Sequence, residues 1–127
     1  MPKARTNRSG DPQAGRTGMK QDKVYMLLGL AKRAGRIAAG EFLTEKAVKG
    51  GKSWLCIVAA DASENTKKNF RDMCSYYEVS YVEYGVKEEL GHATGTQMRA
   101  SLSVNDEGFA KKLKELINTG ITKEQEN

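Results

Sequence analysis

Two stretches of this 127-residue chain hold the side chains best suited to recognition chemistry. The first is Gly40-Glu41-Phe42-Leu43-Thr44-Glu45-Lys46-Ala47-Val48-Lys49-Gly50-Gly51, a helical pattern that starts on a glycine. Glycine brings no side-chain oxygen to close the first turn. The backbone N–H groups and the positive end of the helix dipole therefore stay available to an anion or to a guanine acceptor edge. Phe42, Lys46 and Lys49 fall at i, i+4 and i+7 and share one helical face. An amine there can meet a phosphate or the O6/N7 edge of guanine, and Phe42 can stack on or pack beside a base. Just upstream, Lys32-Arg33-Ala34-Gly35-Arg36 adds three positive charges. The second stretch, Leu90-Gly91-His92-Ala93-Thr94-Gly95-Thr96-Gln97-Met98-Arg99-Ala100, reads as a short helix, a glycine-broken loop and the start of a strand. Together they point to an RNA-docking surface rather than a catalytic pocket. Taken alone, the lysines also fit a solvated face, Phe42 a core position, and Lys32 and Arg33 a basic last turn favoured by the helix dipole.

Catalytic constellations are hard to assemble. His92 is the single histidine, which leaves little material for His-based metal sites or triads. Cys56 and Cys74 have no second pair to complete a zinc site, so no metal and no cofactor are expected. The G-x-G-x-x-G, P-loop and G-x-S-x-G patterns do not occur. Glu88 and Glu89 are adjacent, and neighbouring helix positions diverge by about 100°, so the two carboxylates do not converge on one substrate. Their expected role is favourable charge in a helix's first turn. The chain is read as a non-enzyme.

The net charge is +5, and its distribution says more than its total. Residues 1–18 carry four basic residues against one acidic, residues 19–52 eight against three, and residues 53–127 nine against twelve. The positive charge is thus concentrated in the first 52 residues; a basic half favours a polyanion partner, while net charge alone fits a solubilising surface about equally well. Apolar residues at 39% and charged residues at 29% are ordinary for a soluble domain. No run approaches the roughly 18 apolar residues of a membrane helix, so no membrane partner is expected. Cys56 and Cys74 sit in apolar contexts and read as two buried thiols in a cytoplasmic core.

These side chains must be positioned by one domain. Residues 1–18 contain glycine, proline and small polar residues with no large apolar residue after Met1, and are expected to form a disordered basic tail. Residues 19–118 are the folded part, and 119–127 a flexible C-terminal tail. Val24, Leu27, Leu28 and Ala31 mark a helix that Gly35 stops, and Arg36-Ile37-Ala38 a short strand. The apolar run Trp54 to Ala60 reads as a central strand buried on both faces. Asp61 and Ser63 are candidate N-caps, and Asp61-x-x-Glu64 fits a capping box. The following helix should turn Phe70, Met73, Cys74 and Tyr77 inward. Val79 to Tyr84 is a third strand, Lys87 to Thr94 a short helix, Ala100 to Val104 a fourth strand, and Phe109, Leu113, Leu116 and Ile117 mark a last helix. This alternation predicts an α/β fold, a three-layer α-β-α sandwich with a mixed four-stranded sheet.

Four of these segments occur together in one family. Leu28-Gly29-Leu30-Ala31-Lys32-Arg33-Ala34-Gly35, Gly40-Glu41 followed by Lys46-Ala47-Val48, Ala60-Asp61-Ala62-Ser63-Glu64-Asn65-Thr66, and Leu90-Gly91-His92-Ala93-Thr94-Gly95 stand in its order and spacing. Over roughly residues 20–118 the chain resembles the ribosomal protein superfamily that contains large-subunit proteins seven-Ae and thirty-e, and most closely its bacterial YlxQ-type members. That resemblance implies a compact α-β-α sandwich that binds RNA, typically the kink-turn, a duplex sharply bent at a bulge and followed by sheared G·A pairs. It further implies that the second helix enters the widened major groove through a G-x-N-E-x-x-K pattern. Gly40 and Lys46 match the glycine and lysine, whereas Phe42 and Leu43 replace the asparagine and glutamate that hydrogen-bond guanine. The resemblance places Met98 against a flipped base in the loop before the last strand, with Arg99 beside it as a cation. His92 stands where the family usually has lysine. The expected RNA-binding set is Arg33, Arg36, Gly40, Glu41, Phe42, Lys46, Lys49, Met98 and Arg99, with Arg33 and Arg36 on flanking phosphates. The expected partner is structured RNA, ribosomal RNA included, met by a monomer associated with the ribosome, translation or transcription. A protein-interaction module using Phe42, Leu43 and Met98 as an apolar patch is the alternative.

Overall fold

The structure, a computed structural model, describes residues 15–126. Helix and strand alternate as α1 (Gly15–Arg33), β1 (Ile37–Ala39), α2 (Glu41–Lys49), β2 (Leu55–Val58), α3 (Glu64–Tyr77), β3 (Ser80–Glu83), α4 (Lys87–Ala93), β4 (Ser101–Val104) and α5 (Glu107–Glu126). The strands form one sheet in the order β1-β4-β2-β3. β4 runs antiparallel to both β1 and β2, while β2 and β3 are parallel, so the sheet is mixed as the sequence predicts. α1 packs with α4 and α5, and α2 packs with α3, which gives a helical layer on each side of the sheet.

The hydrophobic spacing explains these contacts. Leu55, Cys56, Ile57 and Val58 are all completely buried, as befits an interior strand covered on both faces. Val24, Leu28 and Ala31 on α1, and Ala110, Leu113 and Ile117 on α5, recur at helical spacing and point into the same core. Phe70 and Cys74 close it from α3. Cys56 and Cys74 are free and buried. A hydrogen bond with Cys74 and burial together push the Cys56 thiol up, so it stays protonated.

Several sequence expectations shift. Trp54 precedes β2 and is half exposed, because the chain only enters the sheet at Leu55. Tyr77 faces outward rather than inward: α3 ends there, and the Tyr77 ring packs edge-on against Tyr76 at 4.9 Å instead of against the core. The α3 N-cap is Ser63, whose hydroxyl accepts from the Thr66 N–H at 3.1 Å. Asp61 serves another helix: its carboxylate accepts from the Lys87 N–H at 2.9 Å and caps α4. Finally, α1 and α5 run into the segments read as tails, since adding a residue to an existing helix gains a hydrogen bond without a new nucleation step. Residues 1–14 of the expected N-terminal tail, and Asn127, lie outside the described residues.

The register defines the two ends of the sheet. Ile37, Val104, Leu55 and Ser80 lie at one end, and Ala39, Leu102, Val58 and Glu83 lie toward the other. α2 starts at the Ala39 end and runs back toward the Ile37 end.

Phe70 is the largest completely buried side chain. Phe70→Ala should cost about 3–5 kcal/mol of stability through lost transfer energy and the cavity left behind. Urea denaturation monitored by circular dichroism checks this; a loss under about 1 kcal/mol would mean that the α3 layer is not packed as described.

Candidate nucleic-acid interface

α2 is held to the sheet by its inner face, Thr44, Ala47 and Val48, at i, i+3 and i+4. Thr44 is buried, and its hydroxyl donates to the Ala38 carbonyl and accepts from the Ser101 hydroxyl, both at 3.4 Å. The Gly40 N–H donates to the Ser101 carbonyl at 2.9 Å. The start of α2 is therefore stitched to β1 and to the first residue of β4. Gly40 itself sits at φ +101° and ψ 158°, a conformation open essentially to glycine alone. No side chain caps the helix, and the first intrahelical bond is Thr44 N–H to Gly40 C=O. The N–H groups of Glu41, Phe42 and Leu43 thus have no intrahelical acceptor and form the positive end of the helix dipole.

The second stretch arrives beside this helix start. Gly91 is buried, and a methyl group added there would collide with the Gln97 carbonyl. Only glycine lets the loop pass this close to α4. The Gly91 carbonyl accepts from the Thr96 N–H at 2.8 Å, and Lys87 C=O accepts from the Arg99 N–H at 3.1 Å. Buried Thr94 ties its hydroxyl back to the Leu90 carbonyl at 3.0 Å. The loop is thus laced to α4 and delivers Met98 and Arg99 to the entrance of β4. Arg99 lies against Gly40: a Cβ on that glycine would sit 3.5 Å from Arg99 Nε. Arg99 donates one Nη1 bond to the Met98 carbonyl at 3.1 Å, while its Nε is buried without a partner among the described residues.

The structure thus brings Gly40, Glu41, Phe42, Met98 and Arg99 to one end of the sheet. Phe42 is 73% exposed and Met98 56%, with Leu43 48% exposed beside Phe42, so none of the three is a core residue. Lys46 is exposed further along α2, where it lines a shallow depression of about 370 Å³ with Phe42, Glu45 and Lys49. Lys49 lies near the far end of α2 and is bound to Glu45 Oε2 at 2.7 Å. That hydrogen bond pushes the Lys49 amine up, so the group stays charged but shares its charge with a carboxylate.

Arg33 and Arg36 are not in this cluster. They precede β1 and are exposed at its other end, and Arg36 faces Asp106 at 3.9 Å. From Arg36 to Gly40 the extended chain covers roughly 13 Å at about 3.3 Å per residue. Proximity in sequence to the start of α2 is undone by the strand between them. His92 is exposed on α4, outside the Gly40–Arg99 contact. Sequence reasoning missed Thr44, Thr94 and Ser101, the buried hydroxyls that position the cluster. Their signal was a polar residue at a position whose period faces the core.

Among the described residues no group of three or more His, Cys, Asp or Glu side chains is placed to hold a metal ion. No helix among them is long and apolar enough to cross a membrane.

Fold and site together define an α/β sandwich presenting an open helix start, an arginine from a neighbouring loop and exposed apolar side chains on one surface. Residues 22–114 match the Ribosomal protein L7Ae/L30e/S12e/Gadd45 family, and the chain belongs to that family. An RNA-binding protein YlxQ of Enterococcus faecium is 44% identical over 97 residues, covering 76% of this chain and 93% of the relative. The RNA-binding protein YlxQ of Bacillus subtilis is 39% identical over 93 residues, 73% of this chain and 93% of the relative. A structure of a Bacillus halodurans protein of unknown function superposes with a TM-score of 0.73 at 40% identity, covering 76% of this chain and 97% of the other. The Giardia lamblia 15.5kD RNA binding protein shares the fold, with a TM-score of 0.67 at 23% identity over 81% of this chain and 88% of its own.

The close approach at Gly91 is directly testable. Gly91→Ala should push the Gln97 backbone away and destabilise the chain by about 1–3 kcal/mol. Amide hydrogen exchange should then show lost protection at Thr96 and Arg99 while β2 stays protected; unchanged protection at both would contradict the contact.

Proposed function

We propose that this chain is a non-catalytic RNA-binding protein that recognises kink-turn-like or other bent, structured RNA. It reads that RNA through the start of α2 and the loop before β4. The observation that carries this reading is the contact of Arg99 with Gly40. It places a guanidinium, three free helix N–H groups and exposed Phe42 and Met98 on one surface. The names of the YlxQ relatives support RNA as the ligand class. Binding acts by population shift: a protein that prefers the bent RNA draws it from the extended ensemble.

Phe42 and Leu43 cannot hydrogen-bond a guanine edge. A good bidentate base contact is worth about 1–3 kcal/mol of discrimination. Stacking of a base on an aromatic ring is worth about 1–3 kcal/mol, and it tolerates any base. The exchange therefore keeps affinity while giving up selectivity, and shape and phosphate contacts carry more of the recognition. Lys46 and Arg99 supply phosphate contacts near the cluster. Lys49, Arg33 and Arg36 can meet only an RNA long enough to reach past α2 or to the far end of the sheet. The protein acts as a cytoplasmic monomer on ribosomal or other structured RNA.

The contiguous exposure of Phe42 and Leu43, with Met98 nearby, favours one second reading, an apolar docking patch for a protein partner. Salt separates the two, because phosphate-driven binding weakens steeply with ionic strength and an apolar interface does not.

The test is a titration against a kink-turn RNA and against the same RNA with its G·A pairs replaced by Watson–Crick pairs, at two salt concentrations. Preference for the intact kink-turn is expected, reduced by the loss of base-edge contacts. Equal, salt-sensitive binding would leave a general structured-RNA binder, and no binding to either RNA would defeat the reading. Lys46→Ala and Arg99→Ala should each weaken binding and lower the slope of log affinity on log salt by about 0.7–0.9. Unchanged affinity of both variants at low salt would remove the site from this surface.

A further inference from the structure

Another cavity lies away from this surface. A groove of about 620 Å³ opens at the other end of the sheet, past the entries to β2 and β3, between the last turn of α2 and the first turns of α5. Its walls carry Trp54 and Tyr77. Trp54 is the only tryptophan of the chain, yet it is 51% exposed, and Tyr77 is 41% exposed. The Trp54 main chain is anchored, its backbone N–H donating to the Val104 carbonyl at 2.8 Å, and the Tyr77 ring rests edge-on against exposed Tyr76. A large aromatic ring kept half in water at a rigid strand entry contributes little to the core and offers a face for stacking.

Cations line the same groove. Lys111 and Lys114 line the groove from α5, and the Lys114 amine is held at the wall by a 3.1 Å hydrogen bond to Ser80 Oγ. Lys52 is exposed next to the groove. Lys49 also lines it but is committed to Glu45. Glu78 and Glu107 contribute carboxylates to the same lining. Two acids among the lysines make this a poor trough for a continuous row of phosphates. They suit a nucleotide, which presents an aromatic face, base N–H donors and ribose hydroxyls as well as an anion. The volume lies within the roughly 300–1,000 Å³ of small-ligand sites and accommodates one nucleotide with its phosphates.

We infer that this groove takes a nucleotide of a single-stranded RNA segment, its base against Trp54 and its phosphates toward Lys111 and Lys114. The inference rests on the RNA-binding reading above and extends it: the protein would hold structured RNA at the Gly40 end and a single strand at the Trp54 end, bridging two parts of one RNA or two RNAs.

Trp54 is its own reporter. The full chain is titrated with a uridine oligomer of about ten nucleotides, within the usual site size of single-strand binders, while tryptophan emission is followed. The expected result is saturable quenching that Lys111→Ala/Lys114→Ala weakens about fivefold or more. Affinity for a kink-turn RNA should stay within about twofold. With Trp54→Ala, anisotropy of a labelled oligomer should show about a tenfold loss, the size of one lost stacking contact. Absence of quenching, or equal affinity in the double-lysine variant, would overturn the proposal. Uridine monophosphate binding as tightly as the oligomer would assign the groove to a free nucleotide instead, and polyglutamate binding as tightly would reduce it to a generic or peptide-binding surface; either overturns the single-strand assignment. Arg99→Ala separates the two sites. It should weaken kink-turn binding and leave the oligomer-induced quenching intact. Quenching in a chain that never binds kink-turn RNA would refute the earlier reading alone.

Discussion

The junction between the start of α2 and the entrance of β4 is the constraint on which the candidate interface depends. Gly40 donates to Ser101 along the backbone, Thr44 and Ser101 share a buried hydroxyl contact, and Arg99 lies against the glycine. Ser101 is small enough to let α2 approach the sheet closely. A larger residue there would lift the helix and separate its open N–H groups from the loop that carries Met98. The loop has the matching requirement at Gly91, where the Gln97 carbonyl occupies the space of a side chain. Two glycines and three hydroxyl residues thus fix the relative positions of every group at that end. Of these five, Gly91, Thr44, Thr94 and Ser101 are buried and need not touch the ligand. Their contribution is preorganisation, which reduces the ordering cost that binding must overcome.

Charge is distributed so that few cations near this junction are neutralised. Lys49 is paired with Glu45, Lys68 with Asp72, and Lys67 and Arg71 both approach Glu83. Surface pairs of this kind contribute little to stability and chiefly blunt the local field. Among the described residues, Lys46 and Arg99 take part in no such ion pair. The field felt by an approaching polyanion is therefore set less by the total of +5 than by which cations have acidic neighbours.

The periodic part of this architecture was legible in the sequence. Leu55 to Val58 announced an interior strand by continuous apolarity, and Val24, Leu28 and Ala31 announced a buried helix face by spacing. Gly40 was legible as an uncapped start because a missing side chain is visible in the sequence. What failed had long-range causes. Asp61 satisfies the capping-box pattern for the helix that follows it, but its acceptor is used by Lys87, 26 residues on. Tyr77 fits the inward period of α3, but the sheet stops before the helix does. Arg33 and Arg36 stand close to Gly40 in sequence, and a three-residue strand carries them to the other end of the sheet. Local pattern records which face a residue takes; it does not record where the supporting layer ends.

The same geometry bears on why the exchange of asparagine and glutamate for Phe42 and Leu43 is tolerable. In a pocket, two apolar residues in place of two polar ones would be absorbed as packing or would strand a buried donor. Here the helix start is on the surface, and Phe42 remains 73% exposed in the absence of RNA. An exposed ring of that size is a standing cost in water that a stacked base removes, so the driving force moves from hydrogen-bond geometry to surface burial. Such an interface accepts more sequences but still demands an unstacked base within reach of the ring. On the proposed reading, a preference for bent or looped RNA would come from where these groups sit on the surface rather than from guanine-specific hydrogen bonds.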